Sequence, residues 1–259
     1  MTFKGKTQLR TYTLAAALAC VASGLGAFSV QPHTAQARRA KPPAFEWPGR
    51  YKALLKKLRS ESTVKQMAAL SRMERYPLKK IERPLLTSLQ DAKWKVRQRA
   101  ASILVDKGSK RVIWALISWL NDFETKHRVR AIELLGQTKR KMAVIPIVRA
   151  LRDFEPEVRM ASLRALGKMK ATSALTAVLG RLDDDSVKVR LAAVSVLGVI
   201  PHPRAVITLM GKLGDSAKDV RKKVIETLGK LGDPRSAPAV LRALKDPVAE
   251  IREAAARAL

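Results

Sequence analysis

Residues 153–167 read DFEPEVRMASLRALG, residues 184–198 read DDSVKVRLAAVSVLG and residues 215–229 read DSAKDVRKKVIETLG. Laid under one another, they share an aspartate, a valine five places on, an arginine directly after it, and a closing Leu-Gly. The copies are 31 residues apart, and the columns extend beyond them. Aspartate stands at Asp91, Asp122, Asp153, Asp184, Asp215 and Asp246, and arginine at Arg97, Arg128, Arg159, Arg190, Arg221 and Arg252. Leucine stands at Leu104, Leu135, Leu166, Leu197, Leu228 and Leu259. A fixed period of this size marks a solenoid, whose units bury their apolar faces by stacking on one another.

Each unit predicts two helices. The first carries adjacent apolar columns, such as Leu116 and Ile117 or Leu209 and Met210, with a further leucine (Leu120, Leu213) three and four places on. That i, i+3, i+4 stripe is the buried face of a helix. A short turn holds the aspartate. The second helix then carries Val96, Val158, Val189, Val220 and Ile251 and ends on the leucine column. Gly136, Gly167, Gly198 and Gly229 follow those leucines, where a helix commonly stops in a left-handed residue. No segment alternates like a strand, so the chain reads as all-α.

The pattern resembles the HEAT-like repeats typified by the phycobilisome lyase family. The three strings above carry the resemblance, together with LGDP at Leu231–Pro234 and with Pro84 and Pro146 at equivalent points of their first helices. It implies an α/α superhelix of about seven two-helix repeats, with the second helices lining the concave face. It implies no particular chemistry, because such repeats serve unrelated functions.

The chain divides into four stretches. Residues 1–37 read as a secretory signal: Lys4, Lys6 and Arg10 form a basic start, Leu14–Val30 is uncharged and apolar, and Ala35-Gln36-Ala37 offers a cleavage site. An uncleaved membrane anchor is the alternative. Residues 38–50 (RRAKPPAFEWPGR) read as a basic, proline-containing tail, 51–76 as a degenerate capping repeat, and 77–259 as six regular repeats. Cleavage would remove Cys20, the only cysteine, leaving neither disulfides nor thiolate metal sites. It would also take three basic residues and no acidic one, reducing the net charge from +29 to +26. A surplus of that size points to a polyanionic partner, with attraction that weakens as salt rises.

Three groups of residues are candidates for a role. On a helical wheel the arginine column points into the apolar arc, where a guanidinium is tolerable only with its donors satisfied. The Asp and Arg columns therefore read as a structural ladder rather than as a binding comb. The basic residues of the turns between units read as a partner-binding stripe: Lys107, Lys110 and Arg111; Lys139, Arg140 and Lys141; Lys168 and Lys170; Arg204; Lys230 and Arg235. On the exposed face of the second helices, Val129, Met160 and Leu191 with Arg99, Arg130 and Lys223 outline a groove with an apolar floor and a basic rim.

Chemistry is scarcely represented. Beyond the signal the histidines are His127, in a valine-column position, and His202, in the turn Pro201-His202-Pro203. No His-Glu pair, phosphate loop, nucleophile elbow or HExxH motif occurs. Asp183-Asp184-Asp185 coincides with the turn column and reads as helix capping rather than as a metal site. No catalytic residue, metal or cofactor is expected. The expected function is an exported, non-enzymatic scaffold, periplasmic or extracellular, that binds an acidic protein or an anionic envelope polymer or lipid. Duplex DNA is the alternative partner, and a lyase- or hydroxylase-type enzyme is a third reading. No integral span is expected in the mature chain.

Overall fold

The computed structural model describes residues 48–259 apart from Pro201. The predicted signal and most of the basic tail lie outside the described residues. The array is an α solenoid of seven two-helix units. The first helices are α1 (Pro48–Leu58), α3 (Leu78–Ser88), α5 (Val112–Ser118), α7 (Val144–Ala150), α9 (Leu175–Leu179), α11 (Pro203–Gly211) and α13 (Ala237–Ala243). The second helices are α2 (Thr63–Met73), α4 (Trp94–Asp106), α6 (Thr125–Thr138), α8 (Pro156–Lys168), α10 (Val187–Leu197), α12 (Lys218–Leu231) and α14 (Ala249–Ala258). Helix α1 begins at Pro48, inside the stretch read as tail, because proline suits the first turn of a helix, where its missing N–H is not needed.

The first helices from α5 onward have 5 to 9 residues. All five are flanked by 3-10 turns, such as Trp119–Asn121, Lys141–Ala143 and Gly180–Asp183. The second helices are longer and pack side by side along the array. Their valine column is the centre of the core: Val96, Val158 and Val189 are fully buried. Leu104, Leu135, Leu166, Leu197 and Leu228 are fully buried as well.

The glycine column does not end the helices. Gly136, Gly167 and Gly229 lie within α6, α8 and α12, and Gly198 follows α10 with ordinary helical dihedrals (φ −70°). Their role is spacing. A Cβ at Gly136 would lie 2.9 Å from Cβ of Ala165, and one at Gly229 would lie 2.8 Å from Cβ of Ala258. Neighbouring second helices therefore approach so closely that nothing larger than hydrogen fits. The left-handed residue comes four places after the leucine instead, at Gly108 (φ 75°), Lys139 (φ 51°), Lys170 (φ 50°) and Gly232 (φ 61°).

Candidate functional site

The Asp and Arg columns form a repeated clamp. Arg190 donates from Nε and Nη2 to both oxygens of Asp215 in the next unit, each at 2.9 Å, and from Nη1 to the carbonyl of Asp184 in its own turn at 2.9 Å. Arg128 with Asp153, Arg159 with Asp184 and Arg221 with Asp246 repeat the fork at 2.7–3.2 Å. Each aspartate also accepts the backbone N–H two residues on, as Asp215 does from Ala217 at 2.9 Å. The aspartate thus ties the start of its own second helix to the arginine of the preceding unit.

These pairs are dry. The four arginine side chains are 11–13% exposed, and Asp184 and Asp215 are 2% and 6% exposed. The bonds to Asp153 and Asp184 raise the pKa of Arg128 and Arg159 against the effect of burial. Burial pushes the Asp184 and Asp215 carboxyls upward, but the bonds from Arg159 and Arg190 and from the backbone N–H groups outweigh it. Both carboxyls lie below the ordinary 3.8. The Arg221 bond lowers Asp246 in the same direction. The clamp leaves these guanidinium groups little capacity for an outside ligand.

Three positions depart from the pattern. Asp122 is bonded not to Arg97 but to Nδ1 of His127, at 3.0 Å. The His127 ring stacks on Trp94 with centroids 3.7 Å apart, and Trp94 in turn meets Trp119 edge-on at 5.0 Å. Arg97 keeps its bonds to the carbonyls of Asp91 and Ala92 and lies over the Trp94 ring. One period earlier Gln66 stands in the arginine column, 3% exposed, and donates to Oδ2 of Asp91 at 2.7 Å. At the other end Arg252 bonds the carbonyls of Asp246 and Pro247. An amide of that reach is the neutral substitute for the missing guanidinium.

The turn stripe is mostly exposed. Lys110, Lys139, Lys141, Lys168, Lys170, Arg204 and Lys230 stand in solvent, and none has a carboxylate within 4 Å among the described residues. Lys107 is half-buried beside them. Arg140 is half-buried and reaches the carbonyl of Gly108 at 3.4 Å, which links neighbouring turns. Arg111 lies 4.0 Å from Glu82. Arg235 is engaged by Asp233, whose carboxyl that guanidinium lowers to about 2.

The groove residues divide differently. Arg99 is held by Glu74, Arg130 by Glu133 and the hydroxyl of Ser102, and Lys223 by Glu226, so the expected rim is internally neutralised. Met160 and Leu191 do share a cleft of about 770 Å³ between α8 and α10, but Val129 does not line it. The cations around that cleft are Arg164, Lys168 and Lys188. Arg164 and Lys188 escaped the sequence reading because one groove column was followed rather than its neighbours.

A family model described as HEAT repeats matches residues 113–190 and 179–259. No curated protein matches the chain. Among solved structures, the E. coli protein YibA is 21% identical with a TM-score of 0.52, over 83% of this chain and 86% of that one. The complex of CpcE and CpcF of phycocyanin lyase from Nostoc is 17% identical with a TM-score of 0.48, over 92% of this chain and 100% of that one. Human deoxyhypusine hydroxylase is 18% identical with a TM-score of 0.37, over 81% and 94%. At these identities the likeness is one of fold. Among the described residues no helix is long and apolar enough to cross a membrane.

Proposed function

The chain belongs to the HEAT-repeat family, and from that premise we propose that it is an exported scaffold without catalytic activity of its own. It docks an acidic protein or an anionic envelope component through the basic stripe of its inter-unit turns. The observation that carries this reading is the left-handed column. Glycine fills it at Gly108 and Gly232, but lysine does so at Lys139 and Lys170, and both are exposed without a carboxylate partner. A left-handed residue with a Cβ costs roughly 1–2 kcal/mol relative to one without. Strain at an exposed, unpaired charge fits a side chain retained for what it contacts outside the fold. The ladder arginines, by contrast, are occupied within it.

The test replaces the strained lysines by the residue that suits their backbone. Lys139→Gly with Lys170→Gly should leave stability unchanged or higher by about 1 kcal/mol, since relief of strain competes with glycine's greater freedom in the unfolded chain. The same change should weaken binding to polyglutamate measured at low salt. Full retention of polyglutamate binding would sink the stripe as the docking surface. Fractionation tests the export part: the reading requires a shortened form beginning near Arg38 outside the cytoplasm.

Duplex DNA is the second reading, favoured by the recurrence of unpaired cations once per unit, which suits a row of phosphates. Binding to duplex that exceeds binding to polyglutamate, with a steep salt slope, would turn the assignment to nucleic acid.

A further inference from the structure

From α5 onward, charge is segregated between the two layers of the array. Residues 107–121, 139–152, 172–182, 202–214 and 234–245, which contain the first helices α5 to α13 and their flanking turns, hold 14 basic residues and no Asp or Glu. The bordering carboxylates Asp183 and Asp233 are bonded to Lys212 and Arg235. The remaining acidic residues of these units belong to the second helices and the turns that enter them.

Three large apolar side chains stand in water on this acid-free side. Trp114 is 67% exposed, Ile145 65% and Ile207 56%. All three occupy one column of the 31-residue period, with the exposed Thr176 at the intervening position. Neighbouring helices pack roughly 8–10 Å apart, so the column extends over roughly 25–30 Å. One turn before each residue is an exposed cation: Arg111 before Trp114, Lys141 before Ile145 and Arg204 before Ile207.

We propose that this first-helix face docks onto an anionic lipid surface, with Trp114, Ile145 and Ile207 entering the headgroup layer and Arg111, Lys141 and Arg204 lying on lipid phosphates. Apolar side chains framed by cations, with tryptophan among them, suit a bilayer interface. Phosphates of a nucleic acid would use the cations but leave the three apolar groups in water. An acidic protein would need matching pockets. The absence of carboxylates favours lipid, because each cation near an anionic surface contributes about 1 kcal/mol and a carboxylate there would oppose it. The proposal rests on the basic-surface reading above and narrows it to lipid.

The experiment uses the full-length chain and vesicles of phosphatidylcholine with or without phosphatidylglycerol, with soluble polyglutamate in parallel. The protein should float with the anionic vesicles alone, and its tryptophan emission should move to the blue on binding. Trp114→Ser with Ile145→Ser and Ile207→Ser should lose at least tenfold in vesicle affinity and none in polyglutamate affinity. Trp114→Phe, which keeps the apolar contact, should bind vesicles normally but lose most of the blue shift. Unchanged vesicle affinity in the triple variant, or a full shift in Trp114→Phe, overturns the proposal. Wild-type binding to polyglutamate but not to vesicles overturns it while leaving the basic-surface reading intact. Binding to neither removes both.

Discussion

Truncation of one rung in the middle of the ladder gives the most direct measure of what holds the units together. In Arg190→Ala the Asp215 carboxylate, 6% exposed, loses both guanidinium bonds and keeps only the Ala217 N–H at 2.9 Å. The carbonyls of Asp184 and Asp185 also lose their donor, at 2.9 and 3.3 Å; Asp185 is exposed, whereas Asp184 is buried. Removal of one partner from a buried pair costs about 3–5 kcal/mol. The surviving N–H bond and the exposed Asp185 carbonyl place this case near the lower figure, about 3 kcal/mol. For a chain of this length that corresponds to a fall of roughly 6–12 °C in Tm. Urea denaturation followed by circular dichroism reads it, and adding Asp215→Asn closes a double-mutant cycle, since asparagine retains the acceptor for Ala217. The cycle should return a coupling of at least about 1 kcal/mol. If Arg190→Ala unfolds within about 0.5 kcal/mol of wild type yet loses polyanion binding, the arginine column is a binding surface and the reasoning fails.

Charge reversal of Lys139, Arg140 and Lys141 to glutamate should change stability by no more than about 1 kcal/mol, because two of the three are exposed and none forms an ion pair among the described residues; titration with polyglutamate at two salt concentrations should show weaker binding and a shallower salt slope. Gly136→Ala should destabilise by about 1–2 kcal/mol despite alanine's better helix propensity, since its Cβ would meet that of Ala165. Gly180→Ala, with open space around it and a helical φ of −63°, should stabilise by about 0.5–1 kcal/mol, and thermal melts of the two variants compare them directly. The folded-state carboxyls of Asp184, Asp215 and Asp246 lie below the ordinary 3.8, so their contribution is complete above that value and is lost as pH falls through the lowered pKa. Acid titration should therefore show stability falling from about pH 4 downward, and Asp184→Asn should be less stable at neutral pH but flatter across that range.

The period made the fold legible. A chain that repeats Asp, Val, Arg and Leu in register shows its helices, turns and core without reference to distant contacts. The direction of the ladder was less accessible. Its arginines reach forward 25 residues to the next aspartate, and nothing in the spacing distinguishes that from a bond within the unit. The glycine column was misread because a helix-ending glycine and a close-packing glycine share the same local context. Only the 2.9 Å approach of Ala165 to Gly136 separates them. The histidine at 127 was visible as an intruder in the valine column, but its bond to Asp122 and its stacking on Trp94, 33 residues earlier, depend on how two units meet. The exposed column of Trp114, Ile145 and Ile207 lies within apolar helices, where the pattern alone does not separate a side chain facing solvent from one facing the core.

The seam between α4 and α6 lacks both devices that recur farther along the array. Arg97 makes no fork with Asp122, and Val105 stands where the next four units carry the spacing glycine. Farther along, ion-pair clamps and near-touching helices fix each unit against the next, so the angular step from unit to unit has little room to vary. At the seam the joint is made by flat rings, Trp94 against His127 and Trp119. Stacked rings resist separation but slide over one another at small cost, as lubricated plates do. A load applied to the array would therefore be taken up as twist near this end, while the five units beyond it, joined by forks and spacing glycines, turn together as one stiff arm.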